Sequence, residues 1–419
     1  MTKKIMFFLI LILFLLVWRK YIKAQHTFEL LIENNSNEDI FSTIEGYNDN
    51  FIMFGLTVTT IEELNQPDAY TALFLSLSYD GEILLRKEIP DFIKTPGQYR
   101  KKIIQTPDSN YLVCSSYTVN FNNPDSVYSV ISLNKFDKDF NLIWTKNHKW
   151  WYGYYFVDNV DVTIHPDGNI IVIGNYMKDF PWFSFFYMFT QNGDSLKSVT
   201  YESNDNTPLE VWNIHVRNNP DTPYLVTAIW FDQYDNILEV DNDLNITKIH
   251  NFTNYEPEGY HDICPGFSSK YFENKMYISG WTCGSLNVAK YQIGAFSTDE
   301  DFNLSDIIIF GTANHDIPAP SGAIDIKDTS KIYIGGRVDL GNKNWFILNQ
   351  CNSKLESNWI KYYGGDASYY LSQIIATDDG GCLLIGTRSE SGNPKNIYII
   401  KVDSNGMLTK KNNKIINLE

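Results

Sequence analysis

Residues Asn358 to Leu408 read NWIKYYGGDASYYLSQIIATDDGGCLLIGTRSESGNPKNIYIIKVDSNGML. A polar turn, Asp378-Asp379-Gly380-Gly381, opens the apolar run Cys382 to Ile385, which closes on Gly386. A second apolar run, Ile397 to Val402, enters another polar turn, Asp403-Ser404-Asn405-Gly406. Asp, Asn and Gly tolerate the positive φ of tight turns, so apolar runs bounded by them read as strands joined in hairpins.

Working outward, the first of these motifs recurs upstream. It reads NDNFIMFG (48–55), DSNYLVCS (108–115), DGNIIVIG (167–174), DTPYLVTA (221–228), ENKMYISG (273–280) and TSKIYIGG (329–336). The residues that start each run are Phe51, Tyr111, Ile170, Tyr224, Met276, Ile332 and Cys382, spaced 50 to 60 residues apart. A second hairpin follows each copy, as in LFLSLSYDGEILLRK (73–87) and YMFTQNGDSLKSV (187–199). Four short strands repeated seven times predict an all-β fold, a seven-bladed β-propeller with four-stranded antiparallel blades. Ring closure removes long free sheet edges. The strand Thr27 to Ile32 is expected to pair with the last blade, although Lys414 to Leu418 could supply the outer strand there instead.

The stretch 358–408 resembles the repeat of secreted Bacteroidota propeller proteins, in which a W-x-K-x-x-GG segment leads to DGG and then to an IKxDSNG hairpin. Blades two and three match more loosely through DSNYLV and HPDGNIIVIG, and blades four to six by pattern. The resemblance implies a fold and export, and it implies no activity. Relatives often continue into a C-terminal type 9 secretion sorting domain, whereas this chain has few residues after its last hairpin.

Composition narrows the class further. The 419 residues are 43% apolar and 15% aromatic, which suits a large core and excludes disordered, collagen-like and disulfide-scaffold chains. Asp and Glu number 50 against 34 Lys and Arg, for a net charge of −16, a balance that repels phosphate backbones and predicts no nucleic-acid partner. Lys3 and Lys4 precede the apolar run Ile5 to Trp18, and Ala24-Gln25 follows. This predicts a signal peptide over 1–25, or a short N-terminal anchor given Arg19, Lys20 and Lys23, with one propeller domain over 26–419. A secreted or periplasmic monomer is expected, with no membrane span in the mature chain.

Propeller topology places the starts of the inner strands and the ends of the second strands on one face, the entry face, where the longer connections also gather. There the sequence predicts Trp150, Trp151, Asp158, Trp212, Tyr260, His261, Asp262, His315, Asp316, Asp366 and Tyr370 at blade entries, and Trp281, Arg337 and Arg388 at the ends of second strands. Aromatic rings beside Asp and Arg suit sugars, which offer apolar ring faces and hydroxyls, and a protein ligand is the other expected partner. The plainer reading wedges each Trp and Tyr between blades and uses each Asp to close a turn.

Other motifs read as structure. The His261-Asp262 and His315-Asp316 pairs recur at the blade spacing, so inheritance of the repeat explains them better than metal ligation. Asp137, Asp241 and Asp299 each begin D-x-D-[FL]-N, which opens like a calcium loop but lacks its distal Glu; a hairpin turn with Asn in the left-handed position is expected. The cysteines, at 114, 264, 283, 351 and 382, form no C-x-x-C, and Cys264 could pair with Cys283. No cofactor, metal or catalytic residue is predicted. The leading expectation is a binding scaffold; the alternative is a glycosidase or lyase using Asp residues at the central funnel.

Overall fold

The computed structural model describes residues 26–46, 50–58, 70–90, 101–119, 128–152, 157–177, 182–201, 209–230, 234–252, 260–284, 291–312, 314–408 and 413–417. Side chains at several strand ends, including 150–152, 157–160 and 260–267, lie outside the described set. Among the described residues every regular element is a strand.

Strand β1 (Phe28–Glu33) precedes the first blade in sequence but belongs to the last. Blade one holds β2 (Asn37–Gly46), β3 (Asn50–Val58), β4 (Tyr70–Ser78) and β5 (Ile83–Ile89). Blade two holds β6 (Lys102–Gln105), β7 (Tyr111–Val119), β8 (Tyr128–Phe136) and β9 (Leu142–Tyr152). Blade three holds β10 (Val157–Ile164), β11 (Ile170–Met177), β12 (Trp182–Phe189) and β13 (Ser195–Tyr201). Blade four holds β14 (Leu209–Val216), β15 (Tyr224–Trp230), β16 (Tyr234–Val240) and β17 (Ile246–Asn251). Blade five holds β18 (Tyr260–Phe272), β19 (Lys275–Gly284), β20 (Tyr291–Thr298) and β21 (Leu304–Phe310). In blade six the inner strand is split into β22 (Ile317–Pro318) and β23 (Ile324–Asp328), both paired to β24 (Lys331–Asp339), with β25 (Asn344–Cys351) and β26 (Ser357–Tyr363) outside. Blade seven holds β27 (Ser368–Ala376), β28 (Cys382–Ser389), β29 (Asn396–Val402), β1 and β30 (Asn413–Asn417). The molecule is a seven-bladed β-propeller of four-stranded antiparallel blades, the last carrying a fifth strand.

Both expected closures occur together. Strand β1 pairs antiparallel with β29, and β30 then pairs parallel with β1 on its outer side. Alternation of side chains along β1 explains its grip: Phe28, Leu30 and Ile32 are buried toward blade one, and Leu31 is buried toward blade six. The three residues facing blade one each contribute about 1.5–3 kcal/mol by burial. A buried ion pair completes the clasp, with Lys401 bonded to the Asp379 carboxylate and donating to the His26 carbonyl at 2.7 Å.

Seven apolar clusters lie between the blades, one at each interface. The D-x-D-[FL]-N turns feed three of them and correct the expectation for Asn. The left-handed residue is the apolar one, Phe140 (φ 55°), Leu244 (φ 65°) or Phe302 (φ 62°). Each of these side chains is buried against the preceding blade. Asn141, Asn245 and Asn303 instead donate side-chain amides to the leading Asp, whose other oxygen accepts two backbone N–H groups. Core burial outweighs the roughly 1 kcal/mol cost of a positive φ in a non-Gly residue.

The W-x-K segments also have a mechanical role. Trp359 donates Nε1–H to the Ser404 carbonyl at 3.2 Å, Lys361 bonds the Asn405 carbonyl, and Trp359 packs where a Cβ on Gly406 would stand. Trp144 and Lys146 grip Gly193 and Asp194 of the next blade in the same way. Each of these two W-x-K strands therefore clamps the outer turn of its neighbour.

Candidate functional site

The recurring Gly of the repeat motif shapes the entry face. It is the fifth residue of the apolar run that forms the second strand, and opposite it the inner strand bulges, as at Ile40/Ser42 and Leu371/Gln373. A Cβ on Gly55, Gly336 or Gly386 would overlap the carbonyl oxygen of Asp39, Ile317 or Tyr370 respectively. The bulge swings polar side chains toward the next blade. Ser42 accepts from Ile103 N–H (3.3 Å), Asp161 from Ile214 N–H (2.9 Å) and Ser268 from Ile324 N–H (3.3 Å). Gln373 bonds both backbone groups of Thr43 at 2.7 and 2.9 Å. Lys102 pairs with Asp161 (2.5 Å) and Lys270 with Asp325 (2.8 Å) across neighbouring blades. Polar chemistry near the centre of the ring is thus largely committed to holding blades together.

The residues expected on the entry face divide. Asp316 is fully buried, accepts from the Thr312 hydroxyl at 2.7 Å and closes the connection from β21 into β22. His315 beside it is exposed at a positive φ of 65°, with its ring 5.7 Å from Tyr291. Trp281 on β19 lies 5.4 Å from Tyr291, and Trp212 sits partly buried at the β14 bulge. Trp150 and Trp151 lie on β9, and Tyr260, His261 and Asp262 on β18, but their side chains, like that of Asp158 on β10, are outside the described residues. So are the side chains of Cys264 and Cys283, while Cys114, Cys351 and Cys382 are buried free thiols.

Two expected residues do come together. Arg388, at the end of β28, pairs with Asp366 at 2.7 Å and with Glu390, and its Nε donates to the Tyr369 hydroxyl at 3.3 Å. Tyr369 donates in turn to Asp366. Partial burial works against the Asp366 carboxylate, but the bonds from Tyr369 and Arg388 outweigh it and hold its pKa down at about 2. This cluster lines a cleft of about 760 Å³ between blades six and seven, together with Tyr363, Tyr398, Glu29 and Glu33. The tyrosines are at least nine-tenths buried and form its floor. Tyr398 donates to Glu29 at 2.6 Å. Sequence reasoning missed both Glu29 and Tyr369. Glu29 reaches the cleft only because β1 joins this blade, and the one available signal for Tyr369 is the strand phase of β27.

Arg337 on β24 directly follows Gly336, whereas Arg388 on β28 stands two residues after Gly386, so strand alternation turns the two to opposite faces of their blades and their surroundings differ. The Arg337 guanidinium lies 5.1 Å from the centre of the Tyr370 ring, and the Lys395 ammonium lies 5.7 Å from the same ring. Burial lowers the Arg337 pKa from its ordinary value, against a smaller opposing influence from Tyr370.

No family model and no curated protein matches the chain. Among solved structures, the polysaccharide lyase Uly1 is similar at a TM-score of 0.51 and 10% identity, over 87% of this chain and 90% of that one. The α-L-arabinofuranosidase Arb93A from Fusarium graminearum, in a mutant form with an iminosugar inhibitor, gives a TM-score of 0.48 and 8% identity, over 90% and 97% of the two chains. The β-propeller domain of the Trilobed protease from Pyrococcus furiosus gives 0.44 and 9%, over 90% and 95%. At these identities the likeness is one of fold.

Proposed function

We propose that the protein is an exported, non-catalytic binding scaffold whose entry face takes a saccharide in the cleft between blades six and seven. The observation that carries this reading is the meeting of Arg388, Asp366 and Tyr369 with Glu29, Glu33 and Tyr398 around one cleft of about 760 Å³. Carboxylates and a guanidinium above an aromatic floor match a ligand rich in hydroxyls, which both donates and accepts. A pocket of this size falls in the range that encloses a small molecule or a few sugar rings.

Of the acids expected on the entry face, the two whose side chains are described, Asp316 and Asp366, fit acid catalysis poorly. Glycoside cleavage needs a carboxyl that keeps its proton near neutral pH. Asp366 is held ionised by its partners, and Asp316 is sealed inside its turn. The test is calorimetric titration of the chain from Gln25 onward against plant, bacterial and host glycans, with a parallel assay for cleavage products. Saturable binding without cleavage is expected, and Arg388→Gln should weaken it about tenfold. Cleavage products would overturn the non-catalytic reading. Binding by no glycan would overturn the saccharide and move weight to a protein ligand.

A further inference from the structure

The two arginines at the ends of β24 and β28 have opposite electrostatic fates. Arg388 is neutralised twice over, by Asp366 and Glu390. Arg337 has no carboxylate partner among the described residues, and its contact is the Tyr370 ring. A ring under a guanidinium fixes its plane and leaves the N–H edge for a planar oxyanion. Lys395, exposed just before β29, brings a second cation to the same ring. The carboxyl that senses Lys395 is that of Asp39, which burial pushes up to about 6. Strand alternation puts Asp339 on the Arg337 side of β24, where one buried carboxylate oxygen, Oδ1, has no hydrogen-bond partner.

We infer that Arg337, Tyr370 and Lys395 form an anion subsite for the carboxylate of an acidic sugar, a uronate. Two features favour a uronate over an acidic peptide. The orphaned Asp339 oxygen calls for a donor, which a sugar hydroxyl beside the carboxylate supplies. Across the interface lie Glu29, Glu33, Asp366 and Glu390, and the chain as a whole carries −16, so dense negative charge is repelled. One carboxylate on a hydroxylated body suits both conditions. The subsite stands apart from the cleft proposal, because it involves neither Arg388 nor the cleft floor.

The experiment is a thermal-shift titration of the chain from Gln25 onward with sodium D-galacturonate, D-galactose and N-acetyl-glutamate. Galacturonate should raise Tm saturably and galactose should not. The galacturonate response should weaken in about 0.5 M NaCl, where screening shortens to a few ångströms. Arg337→Gln should weaken galacturonate binding at least about tenfold, Arg337→Lys less, and Lys395→Gln about threefold. Lys197→Gln, which removes a cation paired with Asp243 elsewhere, should change nothing. Equal responses to galactose and galacturonate, or an unaltered affinity in Arg337→Gln, would overturn the subsite. Equal or tighter binding of N-acetyl-glutamate would overturn its assignment to a sugar. Should Arg337→Gln fail to fold, the exposed Lys395→Gln decides, and an unchanged affinity there counts against the subsite. The cleft proposal is read separately, through neutral glycans and Arg388.

Discussion

A single residue position shows why the repeat motif ends as it does. Gly386 faces the carbonyl of Tyr370 at a bulge, and any Cβ there would overlap that oxygen. Gly386→Ala must therefore move β27 or break the β27–β28 register, and a loss of about 2 kcal/mol or more is expected. Thermal denaturation with Gly392→Ser as a control separates this from backbone strain alone, because Gly392 has a positive φ but no atom within 4 Å of its would-be Cβ. A control loss as large as that of Gly386→Ala would refute the steric account. The spacing of the motif was legible in the sequence. The reason for its Gly was not, since the clash involves a carbonyl from another strand.

At the scale of elements, polar links between inner strands make stability depend on pH. His215 on β14 bonds the Ser269 hydroxyl on β18 at 2.7 Å, in a cluster with Asn213 and Asp161. Burial pushes its imidazole down to about 3, with Asp161 opposing and Lys102 and Lys270 assisting. The folded pKa lies below the unfolded value of 6.5, so acidification protonates the unfolded chain first. His215 thus leaves stability unaffected above 6.5 and lowers it as the pH falls from there toward 3. Calorimetry at about pH 7 and about pH 5 should show a smaller acid loss in His215→Gln, by on the order of 1 kcal/mol after allowing for partial exposure. Equal losses in both proteins would show that the folded histidine takes up a proton normally. Sequence marked the inner strands, but the pairing of His215 with Ser269 requires two blades brought side by side.

For the whole molecule, closure is the decisive event. Strand β1 supplies Phe28, Leu30 and Ile32 to the core between blades seven and one, whereas β30 adds an outer parallel strand to it. A chain starting at Asn37 should lose cooperative folding or lower Tm by more than about 15 °C, the result of losing three buried side chains worth about 1.5–3 kcal/mol each together with the Lys401 clasp. A chain ending at Leu408 should keep the fold with a smaller change. Circular dichroism melts of the two truncations check this, and a larger effect from the C-terminal one would reverse the assigned roles.

Periodicity by itself determined the blade count, the strand order within each blade and the all-β class, because turn residues and β-branched runs are local and repeat. It also placed Arg337 and Arg388 near the ends of second strands, one residue out of step with each other. Tertiary structure alone decided which groups Arg337 and Arg388 meet, that β1 and β30 share one blade, and that Phe140, Leu244 and Phe302 take the left-handed turn positions in place of Asn. Each of these outcomes depends on what a neighbouring strand or blade presents across a contact. Such contacts join residues far apart in the chain, in the extreme His26 and Lys401, and no local pattern encodes them.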